Sequence, residues 1–187
     1  MSFQNQVDNS VSCLLEGGLL VYPTVAGWAL GCDATNNTSI HRLRKTMETP
    51  VAVTLSILVA NQAMMERFVK HVPEVAYDIF DLATKPTTLI FDQSKHLPPK
   101  LSLYGEVGVL IASSKFCRYL IQKLKKPIIF YPLTTTATSI KNSFSAIDPK
   151  ILKSVDYVVN LQQEKELCTP SSIIKLTSNG LVQVIRE

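Results

Sequence analysis

The stretch LEGGLLVYPTVAGWALGCDATN, Leu15 to Asn36, decides how this chain folds. Before it, Val7, Val11, Leu14 and Leu15 recur at helical spacing, and Gly17-Gly18 ends that helix. LLVYPT (residues 19–24) reads as a buried strand that Pro23 stops at a loop. Asn37, Thr38 or Ser39 then caps a helix over residues 40–47, which Pro50 keeps from running on. Residues 51–60 are apolar on both faces, as in a strand of a sheet covered by helices. Helical patterns follow at 62–69 and 74–83, and strands at 87–91, 107–112 and 127–131. Between them lie a proline-bearing loop (97–102) and an amphipathic helix (115–125), and the polar residues 134–143 read as an exposed loop. A short helix holds Ile151-Leu152, a strand covers 157–159, and Asn179-Gly180 marks a hairpin between strands 172–176 and 181–185. Strands alternating with helices and closed by a hairpin predict an α/β domain with a mixed sheet. With no repeat, low-complexity tract or linker, residues 1–187 are expected to form a single domain.

Composition narrows the class without naming a function. Apolar residues make up 46% of the 187, and charged residues 18%. That is too apolar for a disordered chain. No run approaches the ~20 apolar residues that cross a bilayer, and MSFQNQVDN lacks the layout of a secretory signal. Cys13, Cys32, Cys117 and Cys168 form no C-x-x-C pair, so neither a zinc cage nor a disulfide framework is indicated, and a reducing cytoplasm is expected. The net charge of +4 permits a polyanionic partner without requiring one.

Familiar catalytic constellations are missing. His41, His71 and His96 are scattered, and there is no G-x-G-x-x-G, G-x-x-x-x-G-K-[ST] or G-x-S-x-G. The segment KFCRYLIQKLKK places Lys115, Arg118, Gln122 and Lys125 on one basic stripe, with Phe116, Leu120 and Leu124 opposite. Such a stripe suits an RNA backbone, but it equally suits a solvated helix face, and no stacking aromatics interleave with it. Thr24 and the PSS at residues 170–172 sit at strand–loop junctions, where hydroxyls meet ligands or simply form turns.

In this order the segments resemble the YrdC/YciO family. The family's opening reads GG-x-hydrophobic-YPT-[DE]-T-x-[YW]-G-[IL]-G-C-D, and Leu15 to Asn36 is similar to it. KPTTLIF (85–91), GEVGVLIASSKFC (105–117), ILKSVDYVVN (151–160) and PSSIIKL (170–176) resemble later family segments, so the likeness runs from about residue 11 to 186. The resemblance implies a twisted mixed sheet with helices around a central cavity. It also implies threonylcarbamoyl-AMP synthesis from L-threonine, bicarbonate and ATP for tRNA modification, and a domain also described as binding double-stranded RNA.

The family's charged positions are replaced. Its K-x-R-P falls on Met47-Glu48-Thr49-Pro50, a further basic position on Val53, and the Arg of G-x-R on Leu110. The S-T-S-A-N segment falls on Phe130, Tyr131, Pro132, Leu133 and Thr134. The resemblance leaves Thr24, Thr88, Ser171, Ser172 and Arg186 as a residual cavity set. Three lost charge-assisted bonds cost roughly 4–9 kcal/mol, or about three to six decades in affinity. The expectation is therefore a catalytically silent YrdC-like protein kept for binding, with no cofactor, and with RNA (through Lys115, Arg118 and Lys125) or an apolar molecule as ligand. Two alternatives stay open. One is an active synthase using ATP and Mg with displaced cations Arg42, Arg44, Lys45 or Lys141; the other is a structural subunit or homodimer. None of the three readings places the protein in a membrane.

Overall fold

The computed structural model describes residues 2–133, 143–161 and 171–186. The Ser2 hydroxyl caps helix α1 (Phe3–Leu15) by accepting the Asn5 N–H, and Gly17, at φ +80°, turns the chain out of it. Strand β1 (Leu20–Thr24) follows and pairs antiparallel with β2 (Gly27–Gly31), both wholly buried. Helix α2 (Asn37–Thr46) is capped by Asn36, whose side chain accepts the Thr38 and Ser39 N–H groups.

The remaining elements are β3 (Ser56–Val59), α3 (Gln62–Glu66), α4 (Glu74–Leu82), β4 (Thr87–Phe91) and β5 (Val107–Ile111). After them come α5 (Lys115–Leu124), β6 (Ile128–Pro132), α6 (Pro149–Ser154), β7 (Tyr157–Val158), β8 (Ser172–Leu176) and β9 (Val182–Arg186). Among the described residues the strands form one sheet in the order β7-β1-β2-β6-β3-β5-β4-β8-β9. Three pairs are parallel (β1–β7, β3–β5, β4–β8) and five antiparallel (β1–β2, β2–β6, β3–β6, β4–β5, β8–β9), so the sheet is mixed. The core continues across it, with Trp28, Tyr22, Leu30, Ile57 and Phe91 each almost fully buried.

Two elements differ from expectation. Pro23 does not stop the first strand; it pairs with Trp28 in the middle of a hairpin whose second strand the sequence reading missed. At that pair the Trp28 carbonyl points outward to β6, where it accepts the Leu133 N–H. Pro23 therefore directs its missing N–H to the other side of β1, where β7 reaches only Leu20 and Val21. The strand expected over 51–60 shrinks to Ser56–Val59. Residues 50–53 form a turn closed by the Val53 N–H on the Pro50 carbonyl (3.0 Å), with Val51 and Val53 exposed. The loop expected at 134–143 lies, apart from Ser143, outside the described residues.

Candidate functional site

Thr24 closes the β1–β2 hairpin. Its hydroxyl donates to the Gly27 carbonyl (2.7 Å) and accepts the Ala26 N–H (3.1 Å), and the residue is 4% exposed. Gly27 takes φ +114°, a conformation that side-chain-bearing residues rarely adopt. Thr24 is thereby committed to the turn that presents it. It stands on the second strand of the sheet order, and Thr88 on the seventh.

Thr88 is paired with Leu110 on β5 and Ile173 on β8. Leu110 pairs with Leu58, so Thr88, Leu110 and Leu58 share one face of the sheet. Ser56, Gly108 and Ile90 continue this face two residues along, with Phe130 opposite Ser56 and Lys175 opposite Ile90. Leu110 and Phe130 are 3% and 6% exposed, so the positions where the resemblance puts the family's cation and hydroxyl are packed hydrocarbon. Ser172 pairs with Thr87, one residue out of step, and so faces the opposite side of the sheet from Thr88. The residual set thus does not converge as one cluster: Thr88 and Ser172 are on different faces, and Thr24 is on another part of the sheet.

At the end of α2, Met47 packs partly buried on the core, and the Thr49 hydroxyl meets the Tyr131 hydroxyl at 3.0 Å. Val53, where the resemblance puts a basic group, is 47% exposed on the turn before β3. Pro132 is exposed at the end of β6. Thr134 and Lys141 lie outside the described residues.

Four of the cations, Arg42, Arg44, Lys175 and Arg186, are engaged by the protein itself. The buried Arg44 guanidinium donates to the carbonyls of Lys100, Pro50, Val53 and Leu101 at 2.6–2.8 Å. Burial lowers its pKa from the ordinary value, although a guanidinium stays protonated across the working range. Arg42 pairs bidentately with Asp156, Lys175 with Glu106 at 2.6 Å, and Arg186 donates to the Ser171 carbonyl and hydroxyl. Glu106 also accepts the Thr54 hydroxyl (3.1 Å), making a polar group on the Thr88 face that the sequence reading did not find. A salient Glu106 just before an apolar strand was its one visible signal. Lys45 is exposed. The buried Asp33 is likewise satisfied internally, by Thr35 and the Lys126 ammonium.

The thiols of Cys13, Cys32 and Cys117 are free and buried. Burial pushes the pKa of Cys13 up to about 11 and of Cys117 to about 12, and raises Cys32 further, so none is a thiolate nucleophile at neutral pH. Cys168 lies outside the described residues. No cluster among the described residues has the composition of a metal site, and no helix among them is long and apolar enough to cross a membrane. On α5, Lys115, Arg118, Gln122 and Lys125 are exposed as expected, with Lys125 as a left-handed cap at φ 59°. Tyr119 is 48% exposed beside them, with the Lys115 ammonium 5.9 Å from its ring centroid.

Two of the hollows among the described residues stand out by their lining. One, of about 450 Å³, lies beside Arg67, Phe68, Lys95 and His96. The other, of about 470 Å³, lies between α4 and the β4–β8 pair. Neither is lined by Thr24, Thr88, Leu110 or Phe130.

The strand order and the alternation of helices define an α/β domain of the YrdC-like class. The chain belongs to the Sua5/YciO/YrdC family, whose model, described as telomere recombination, matches residues 12–187. It is 25% identical to the threonylcarbamoyl-AMP synthase of Pseudoalteromonas translucida over 186 residues, covering 97% of this chain and 98% of that one. The crystal structure of E. coli YciO matches with a TM-score of 0.79 at 22% identity, covering 98% of this chain and 89% of that one. P. abyssi Sua5 complexed with L-threonine matches with a TM-score of 0.79 at 19% identity over 94% of this chain, which spans about half (52%) of that longer one.

Proposed function

We propose that this chain is a YrdC-like domain that does not make threonylcarbamoyl-AMP and acts by binding. One observation supports this above the others: Arg42, Arg44, Lys175 and Arg186 are all bonded to protein oxygens, while Leu110 and Phe130 are packed in the core. A nucleotide's phosphates lose hydration on entering a site and need cations and donors in exchange. Freeing Arg44 for that task would strand four carbonyls, so the displaced-cation route to an active enzyme is costly. ATP and magnesium are accordingly not cofactors in this reading. Free, buried thiols agree with a reducing cytoplasm.

The test is pyrophosphate release from L-threonine, bicarbonate and Mg-ATP. The expected result is no turnover above background. Turnover abolished by Thr24→Val would overturn the proposal.

RNA is the binding partner with a specific observation in its favour. Lys115, Arg118 and Lys125 are exposed on one side of α5, and Tyr119 supplies the stacking ring that the stripe lacked in the sequence reading. Titration of a structured RNA at two salt concentrations is expected to show salt-weakened binding. Replacing all three basic residues by Ala should lessen the salt dependence; an unchanged slope removes the RNA reading.

A further inference from the structure

We propose that the hollow beside α3 binds a small phosphomonoester. It has about 450 Å³ of space and is lined by Ala63, Glu66, Arg67, Phe68, Lys95 and His96. The chain leaving α3 and the chain leaving β4 build it together, meeting in an antiparallel bridge between Val69 and Ser94. The Lys95 N–H donates to the Phe68 carbonyl (2.8 Å) and the Lys70 N–H to the Gln93 carbonyl (3.0 Å). Arg67 and Phe68 therefore stand across from Lys95 and His96, with His96 in a left-handed turn at φ 58°. Two segments thus hold basic side chains on one opening.

That arrangement selects the ligand by charge. Like charges brought face to face repel, and the protein does not neutralise these. Among the described residues no ion pair joins Arg67, Lys95 or His96 to a carboxylate. The acid on the lining is Glu66, whose Oε1 already accepts the Tyr77 hydroxyl (2.8 Å). Arg67 and Lys95 outweigh it, so the lining is net positive, whereas Asp78 and Lys85 balance in the hollow beside α4. The Arg67 guanidinium lies over the Phe68 ring, 5.6 Å from its centroid, and a stacked guanidinium keeps its N–H donors at its edge. A carboxylate brings one charge and two oxygens. A phosphomonoester brings about two charges and three terminal oxygens, one each for the guanidinium, the Lys95 ammonium and a ring N–H of His96. The space exceeds a bare phosphate, and Ala63 with Phe68 gives the organic part an apolar wall. An extended RNA backbone needs a basic groove that tracks it, which a single hollow does not provide. The lining includes none of the positions where the resemblance sets a family motif and none of the α5 stripe, so the inference stands apart from both readings above.

The experiment is an NMR titration of the isotope-labelled full chain at constant ionic strength, with phenyl phosphate, benzoate and inorganic phosphate as probes. Phenyl phosphate is expected to saturate in the millimolar range, with shifts confined to residues 63–70 and 93–97, and inorganic phosphate should displace it. Benzoate should bind about fivefold more weakly or worse, and Arg67→Gln and Lys95→Gln should each weaken phenyl phosphate about five- to tenfold. Glu66→Gln, which removes the negative charge and keeps an acceptor for Tyr77, should strengthen it about twofold. Shifts that do not saturate, or that spread along α5, would overturn the assignment. So would affinity unchanged in Arg67→Gln or Lys95→Gln, or benzoate binding as tightly as phenyl phosphate. A structured RNA that shifts these residues while phenyl phosphate does not would overturn it too, giving the surface to a nucleic-acid backbone.

Discussion

Arg44 carries more of the local structure than any other charged residue near the family's motif positions. Its four carbonyl acceptors come from two segments, residues 50–53 and 100–101, so one guanidinium ties both to α2. Arg44→Met keeps much of the hydrocarbon but frees those acceptors. Partial rehydration of the exposed turn limits the loss, so the expected destabilisation is about 3 kcal/mol in urea unfolding. A loss below ~1 kcal/mol would mean the bonds are not made. Asp156 gives a pH test. Burial pushes its pKa up, but the Arg42 guanidinium and the Leu19 N–H outweigh this and hold it below the ordinary 3.8. A carboxyl depressed on folding stabilises fully above its unfolded pKa and loses that contribution as pH falls through the folded value. Asp156→Asn is therefore expected to cost about 1 kcal/mol at pH 7, little at pH 2–3, and to flatten the acid limb; the ion pair is nearly half exposed, which keeps the figure small. Stability of the variant that tracks the parent at every pH would refute this. The replaced polar groups at Met47, Leu110 and Phe130 were readable once the resemblance had aligned the family's motifs on the sequence. The commitment of Arg44 was not, because its acceptors are backbone groups that leave no mark in sequence.

At the scale of elements, side-chain period did most of the work and proline caused the main error. β4, β5 and β8 match their apolar runs closely, and the Asn179-Gly180 hairpin forms with Gly180 at φ +86°. β2 was missed because Pro23 usually ends a strand, yet here its N–H-less side faces the stretch of β1 that β7 leaves unpaired. The turn at 50–53 was missed because Val51 and Val53 look like strand residues until Arg44 takes the carbonyls of Pro50 and Val53. The β3–β5 pair offers its own test. A Cβ on Gly108 would lie 2.2 Å from the Ser56 hydroxyl oxygen and 3.2 Å from the Ser56 Cα. Gly108→Ala is expected to cost about 1–3 kcal/mol, and Ser56→Gly added to it should recover part of that. Additive losses in the double variant, measured by thermal or urea unfolding, would contradict this packing.

Over the whole molecule, the fold is the family's, while Met47, Val53, Leu110 and Phe130 put uncharged side chains where the resemblance sets the family's nucleotide motifs. The fold was legible because its determinants are the apolar strands and turn glycines, which sequence displays directly. The site was legible only as a set of substitutions, since the register that puts Ser172 behind the sheet from Thr88 depends on strand pairing. In the reading proposed above, Leu110 and Phe130 strengthen the core by burial at places where the resemblance puts an Arg and a Ser, at the expense of phosphate binding. Calorimetric titration of the intact protein with Mg-ATP tests this claim most directly. The account predicts no saturable heat into the millimolar range, and saturable micromolar binding would contradict it.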